Sequence, residues 1–291
     1  MELIDLESDC KYIFDRYLKP FPFIASTFSF TNLFLWRKVQ EVKFDFDEDA
    51  LYIVKSRPEP VFLPPVLKEG GDLKKAYTKL LSHLKENDLP LKVRDASAKD
   101  VEVIRSLGYD IEVMEDVDNH EYIYLVEKLR NYSGKKLHGK RNHYNNFIKN
   151  YEYEIRDIED SKEEAIALAK KWFSESSQSE GLRNELNGII ELLEKKEHFN
   201  IVGLSVFIDG VCQGFTILEV LNDEVILNHI EKADPTFTGL YAFLTKTALD
   251  TFGEGVHYTN REQDLGLPGL RRSKQSFYPE FLEEKFIVTF V

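Results

Sequence analysis

The chain has 291 residues, a length that predicts two domains of ordinary size. Its net charge of −13 argues against binding nucleic acid over the whole surface, because neutralising phosphate requires lysine and arginine. The cysteines, Cys10 and Cys212, lie far apart and lack the spacing of a zinc site or a disulfide framework. No apolar run reaches the roughly 18 residues of a membrane helix. We therefore expect a cytoplasmic protein with no DNA partner, no metal site and no integral membrane association.

Strands and helices alternate along the first half of the chain. Ala76, Leu80 and Leu84 recur at the spacing of one helix face, which predicts an amphipathic helix. Alternating apolar residues between turn signals indicate strands on either side of it. We predict strands over 42–46, 51–55, 61–63, 91–93, 109–113 and 122–126, and helices over 73–85 and 98–107.

A basic segment follows, with seven Lys or Arg and no acidic residue between Lys128 and Lys149. Within it, an apolar face at helical spacing predicts a helix that buries that face and presents the basic residues outward. The apolar face consists of Tyr144, Phe147, Ile148 and Tyr151. Such a helix could hold phosphate from tRNA, a nucleotide or coenzyme A; the alternative is a linker that pairs with acidic surfaces. The candidate phosphate-binding residues are Lys135, Lys136, Lys140 and Arg141.

The second half repeats the element order of the first half, with clearer patterns. Ser161 and Glu164 have the spacing of a capping box, and Asp209-Gly210 is a hairpin signal. We predict helices from residue 161 and over 182–195, 237–251 and 267–276, and strands over 201–208, 211–220, 224–230, 255–259 and 284–290.

Two helices, an antiparallel hairpin, a third strand, a helix and a strand-helix-strand unit form the element order of the GNAT acetyltransferase fold. The sequence therefore predicts an α+β protein of two tandem GNAT-like units, each a mixed sheet flanked by helices. We expect an N-terminal domain over 1–127, followed over 128–291 by the basic helix and a C-terminal domain.

Three segments resemble those of one bacterial family: Gly134 to Phe147, His229 to Asp234, and Asn260 to Lys274. This family is related to the C-terminal domain of phosphatidylglycerol lysyltransferases. The resemblance implies two GNAT-like domains akin to Fem-type aminoacyl transferases. For the membrane relatives it implies transfer of an aminoacyl group from tRNA to a lipid hydroxyl. This chain lacks their transmembrane portion, so the resemblance supplies no acceptor for it.

Polar residues cluster where the strand near residue 258 is predicted to end. In α/β folds, ligands bind outside the carboxyl ends of strands. We expect Glu262 as a candidate proton acceptor and the other polar residues as substrate-binding groups, whereas the alternative is a solvated loop joined by surface salt bridges. The candidate substrate-binding residues of this stretch are Asn260, Arg261, Asp264, Arg271 and Lys274.

A second candidate group ends the third strand of the C-terminal unit. Glu231 could take a proton from an acceptor, with His229 and Lys232 binding substrate beside it. The alternative for His229 is a hydrogen-bonded core histidine, and Glu231 could also have a purely structural role.

The expected loop for a coenzyme A pyrophosphate is absent before either central helix. Asp72 and Asp234 lie at those helix starts instead and would repel the anion. Neither a nucleophile triad nor metal-ligand spacing is found. We expect an acyltransferase-like protein with its site in the C-terminal unit at the domain cleft. Its substrates would be a small molecule or aminoacyl-tRNA, with acyl-CoA as another possible donor. The alternative is a non-catalytic protein that binds a small anionic ligand in the same pocket. The oligomeric state is not specified by the sequence.

Overall fold

The computed structural model describes residues 1–291 and divides them into two compact units. The first unit comprises 1–120 together with 283–291, and the second comprises 121–282. No helix combines the length and the apolar character that crossing a bilayer requires.

Residues 1–120 form short strands and four helices. The strands are β1 (Ile4–Asp5), β2 (Val42–Phe46), β3 (Ala50–Lys55), β4 (Val61–Phe62), β5 (Val66–Leu67), β6 (Lys92–Ala96) and β7 (Ile111–Glu115). The helices are α1 (Lys11–Leu18), α2 (Phe30–Gln40), α3 (Leu73–Glu86) and α4 (Ala98–Ser106).

The remaining residues form longer strands and six helices. The strands are β8 (Glu121–Leu125), β9 (Glu154–Asp157), β10 (Ile201–Ile208), β11 (Val211–Val220), β12 (Val225–Ala233), β13 (Tyr258–Gln263), β14 (Phe281–Glu283) and β15 (Phe286–Phe290). The helices are α5 (Val126–Asn131), α6 (His138–Asn150), α7 (Lys162–Ser174), α8 (Glu180–Glu194), α9 (Leu240–Phe252) and α10 (Pro268–Gln275).

Each unit has its own mixed sheet. The first has the order β1-β2-β3-β4-β6-β15-β7, with β5 also pairing with β3, and the second has the order β14-β8-β13-β12-β11-β10-β9. In both sheets an antiparallel hairpin leads into a parallel pair, β4 with β6 around α3 and β12 with β13 around α9. This confirms the predicted α+β architecture of two mixed sheets flanked by helices.

The two units exchange strands that the sequence assigned otherwise. β8 was expected to close the first unit, but it pairs with β13 in the second sheet. β15 was expected to close the second unit, but it pairs with β6 and β7 in the first. Both are short, partly apolar strands that could complete either sheet, and a preference for neighbours in sequence favoured the wrong choice. The expected division at residue 127 is therefore corrected to the limits given above.

Local patterns account for the helices that cover each sheet. In α3, Ala76, Leu80 and Leu84 are buried as their spacing predicted, and Asp72 caps the helix by accepting from Lys75 N at 3.0 Å. Each fully buried leucine contributes roughly 1.5–3 kcal/mol to folding.

Two local expectations were wrong. Ser161 makes no capping bond to α7; its hydroxyl donates to Asp157 O at 2.7 Å and is hydrogen-bonded to the Ser205 hydroxyl at 2.9 Å. On α6, Phe147 is buried and Tyr144 and Tyr151 pack against the same core, but Ile148 of the predicted apolar face is 41% exposed.

Candidate functional site

Strands β12 and β13 pair over only part of their length. Their parallel register runs from Val225 opposite Tyr258 to Leu227 opposite Asn260, although both strands continue beyond it. Against β8 the register of β13 shifts between Asn260 and Gln263, and Glu262 has a left-handed backbone with φ +59°. This bulge redirects the side chains after Asn260, which the sequence placed in a loop rather than in a strand.

Glu231 of β12 and Arg261 of β13 form a buried ion pair. Arg261 donates from Nη2 to Glu231 Oε1 and from Nη1 to Thr245 Oγ1 of α9, both at 2.9 Å. Thr245 in turn donates to Glu231 Oε2 at 3.0 Å, and Asn228 Nδ2 donates to the same oxygen at 3.2 Å. The side chains of Arg261 and Glu231 are 14% and 8% exposed. The structure thus brings two predicted site residues together and holds the Glu231 carboxylate in one orientation.

Lys140 of the basic helix α6 reaches the same place. Its ammonium lies 3.6 Å from the ring centroid of Phe277, and the Arg261 guanidinium lies 4.6 Å from that centroid. Burial, assisted by the positive charge of Arg261, lowers the pKa of Lys140 to about 8 despite the opposing charge of Glu231. Lys140 therefore lies at the strand-end site, on the same aromatic ring as Arg261.

Lys274 of α10 supports the β13 bulge. Its ammonium donates to the backbone oxygens of Arg261 and Glu262, the latter at 3.0 Å, and Tyr124 OH donates to Lys274 O at 2.8 Å. Burial lowers the pKa of Lys274 to about 8. Because two carbonyls already accept from this lysine, its visible role is to satisfy the backbone of the bulge.

His229 lies between two carboxylates. Its Nδ1 is 2.9 Å from Glu262 Oε1 and its Nε2 is 2.9 Å from Glu219 Oε2, and its side chain is fully buried. Burial alone would lower the pKa of His229, but the two hydrogen-bonded carboxylates outweigh it and raise the pKa to about 9. The imidazolium ties β11, β12 and β13 together. This arrangement matches the alternative of a hydrogen-bonded core histidine and occupies the carboxylate of Glu262.

Asn260, Asp264 and Arg271 hold the bulge from its other side. Asn260 Nδ2 donates to Glu121, while its Oδ1 accepts from Glu262 N at 2.7 Å. Arg271 binds Asp264 through two nitrogens, Nε to Oδ2 at 2.7 Å and Nη2 to Oδ1 at 2.8 Å. Burial opposes ionisation of Asp264, yet the hydrogen bonds from Arg271 and its other donors lower its pKa to about 2.

Lys232 does not join this group. It follows Glu231 directly in a regular stretch of β12, so its side chain points to the opposite face of the sheet. There its ammonium contacts Glu185 of α8 at 2.7 Å and lies 3.7 Å from the ring of Trp172 of α7. The expectation that the Lys232 side chain lies beside that of Glu231 is therefore corrected.

Lys135 and Arg141 of the basic segment border an open cleft. The cleft, of about 560 Å³, is bordered by Gly134, Lys135, His138 and Arg141. Arg141 is anchored there by a bond from Nη1 to Tyr132 O at 2.8 Å. Lys136 lies 5.6 Å from the ring centroid of Tyr278, outside the cleft lining.

Helix α6 also covers the start of α9, where GNAT enzymes hold pyrophosphate. Gly239, the residue before α9, has φ +93°, and a Cβ there would lie 2.1 Å from His143 O of α6. Asp234 accepts from Thr236 N and Oγ1 and pairs with Lys171 at 2.9 Å; these hydrogen bonds lower its pKa to about 2. An occupied helix start and an ionised carboxylate beside it do not fit a coenzyme A pyrophosphate at that position.

Comparisons with known proteins agree with this architecture. Residues 19–289 match the family described as phosphatidylglycerol lysyltransferase, C-terminal. The chain belongs to this family. An uncharacterized protein of Mycoplasmoides gallisepticum is 26% identical over 236 residues, covering 79% of this chain and 73% of that protein. A conserved protein of unknown function from Bacteroides thetaiotaomicron is 27% identical, covers 100% of both chains and has a TM-score of 0.92.

More distant structures show how the fold of this lysyltransferase-family chain is built. L-PGS from Bacillus licheniformis is 14% identical, covers 96% of this chain and 91% of that chain, and has a TM-score of 0.69. A tandem GNAT protein from the clavulanic acid biosynthesis pathway is 7% identical, covers 99% and 98%, and has a TM-score of 0.50. These likenesses confirm two tandem GNAT-like units.

Sequence reasoning missed several residues of the site in this family member. Phe277 is an aromatic residue in the polar stretch after β13, and this contrast could have marked it as part of the site. Thr245 is the hydroxyl residue among the otherwise apolar buried residues of α9, a pattern that could have marked it. Glu219 and Asn228 carried no local signal, because their partners come from other strands.

Proposed function

We propose that this chain transfers an aminoacyl or acyl group from an activated ester, such as aminoacyl-tRNA, to an amine or hydroxyl acceptor. The observation that carries the proposal is the buried Glu231–Arg261 pair where β12 and β13 diverge. The family's description, which names a lysyltransferase, supports the same reaction class.

Acyl transfer requires an oriented acceptor and a positive charge near the oxygen that becomes negative. Arg261, Thr245 and Asn228 hold Glu231 in a fixed position, so its carboxylate can orient an acceptor without reorganising. The Arg261 guanidinium supplies the positive charge, and Phe277 packs beside it. The site thus combines orientation with electrostatic stabilisation.

The activated donor would bind at the basic residues of the α6 segment. The covered start of α9 and the ionised Asp234 favour a donor held elsewhere than on that helix. Lys135, His138 and Arg141 border an open cleft of about 560 Å³, which suits the phosphates of an aminoacyl-tRNA end.

A transfer assay tests the reaction. Bulk tRNA charged with labelled amino acids is mixed with the protein and with pooled acceptors, a polar lipid extract and a small-metabolite extract, and label leaving tRNA is followed. We expect protein-dependent transfer that Glu231→Gln reduces by roughly a hundredfold, since misplacing an oriented reactant by about 1 Å can cost 10²-fold in rate. Exposed Lys149 provides the matched control, Lys149→Ala. Equal label loss with and without protein would refute the proposal. If the protein instead transfers acetyl groups from acetyl-CoA and nothing from charged tRNA, the proposed tRNA donor is wrong and acyl-CoA takes its place.

Salt dependence tests the basic residues of the α6 segment separately. Replacing Lys135, Lys136 and Arg141 by Ala should make the slope of log affinity for tRNA against log salt concentration less negative by about 2, since each single-strand phosphate contact contributes ~0.7 to that slope. Lys140 is kept, because it belongs to the strand-end site. An unchanged slope in a filter-binding titration would make the segment a structural linker.

A further inference from the structure

Lys140 differs from Lys274 and Lys232, the other buried lysines near these strands, in having an amino group without a polar partner. It donates no hydrogen bond and forms no ion pair; its contact is the face of Phe277 at 3.6 Å. Phe277 is 4% exposed, so the ammonium rests on a buried apolar surface while part of the side chain stays accessible to solvent. In this setting few contacts stabilise the charged form of the lysine, so its neutral form is reached more readily.

The charges that face Lys140 come from the two diverging strands. Arg261 of β13 disfavours a second cation, whereas Glu231 of β12 favours it. Glu231, however, already binds Arg261 and accepts from Thr245 and Asn228, so its negative charge is largely offset. Desolvation next to another cation is the arrangement that activates lysine amines as nucleophiles.

We propose that Lys140 is a nucleophilic amine that becomes acylated by activated acyl esters. The neutral Nζ attacks the ester carbonyl carbon, a C–N bond forms, and the C–O bond to the leaving alcohol breaks. The proton lost from nitrogen goes to the departing oxygen, directly or through water. The products are an Nε-acyl-lysine on the protein and one alcohol, and neither an oxidant nor a metal is needed. This reaction does not require the proposed tRNA donor.

Nearby lysines provide internal comparisons. Lys274 is also buried, but its amino group donates to two backbone carbonyls, and acylation, which leaves a single N–H, would break one of these hydrogen bonds. Lys232 is paired with Glu185 on the other face of the sheet. Lys135 and Lys136 are exposed and should react as ordinary surface amines.

The test uses p-nitrophenyl acetate as the ester. The folded protein is treated at a series of pH values, p-nitrophenolate release is recorded, and acetylation of each lysine is measured by peptide mass spectrometry. The pKa of Lys140 of about 8 gives a neutral fraction near pH 8 about a hundredfold above that of a surface lysine. Allowing for the weaker nucleophilicity of a less basic amine, we expect Lys140 to be acetylated roughly tenfold faster than Lys135 or Lys136.

Variants and denaturation complete the test. Lys140→Arg should remove the fast phase of p-nitrophenolate release, and Lys149→Arg, at an exposed position outside the cleft and the strand-end site, should keep it. In guanidinium chloride Lys140 should lose its advantage, because the advantage depends on the fold. The proposal is overturned if folded Lys140 reacts no faster than the exposed lysines near pH 8, or if the fast phase survives in Lys140→Arg.

Discussion

The buried histidine between two carboxylates makes folding stability depend on pH in a defined direction. In the folded protein the pKa of His229 is raised from 6.5 to about 9. The folded state therefore binds a proton that the unfolded chain releases between these values. The stabilisation is fully present below about pH 6.5 and is lost as the pH rises through about 9. At 1.36 kcal/mol per unit, the pH-dependent part amounts to about 3 kcal/mol.

Replacing His229 with Gln isolates this contribution. Urea unfolding of the protein and of His229→Gln gives a stability difference at each pH, and we expect it to fall by about 3 kcal/mol between about pH 6 and pH 10. The pKa values of Lys140 and Lys274 are lowered in the folded state, so these two lysines add stability as the pH rises from about 8 to about 10.5. Both proteins contain them, so this effect cancels in the difference. His198→Gln, at an exposed position, controls for losing a histidine. A stability difference that stays constant or grows with pH would refute the imidazolium assignment.

Three further changes test the site's supports, each by chemical unfolding. Gly239→Ala should cost at least about 2 kcal/mol, because its Cβ would meet the α6 backbone, whereas Gly255→Ala, also at positive φ but in open space, should cost clearly less; equal losses would contradict the close approach. Arg261→Met should cost about 3–5 kcal/mol by leaving Glu231 buried and unpaired, and adding Glu231→Gln should recover at least ~1 kcal/mol. Strictly additive losses would argue against the pair. Arg271→Lys should cost about 1–3 kcal/mol by losing its two-nitrogen contact with a buried aspartate, and a loss near zero would count against that contact.

Local patterns predicted most of the elements and part of the site. The apolar spacing around Leu80 identified α3, and the Asp-Gly turn at 209–210 identified the β10–β11 hairpin. The proximity of Arg261 to Glu231 was also predicted, because their strands were expected to be neighbours. Lys232 was misassigned because adjacency in sequence was treated as adjacency in space, whereas alternate side chains of a strand leave on opposite faces. Whether these residues catalyse or bind substrate stays a prediction.

The sequence by itself determined most of the elements, their order and the two-unit architecture, since helix and strand periodicity are properties of neighbouring residues. Only the tertiary structure decided which sheet receives β8 and β15, because either strand could satisfy an open edge. It also decided that Lys140 joins the strand-end site and that His229 is held by Glu219, since those contacts span many residues of chain. Burial and charge at this site are set by groups from α6, β11, β12 and β13, which are distant in sequence, so no local sequence pattern predicts that they lie together.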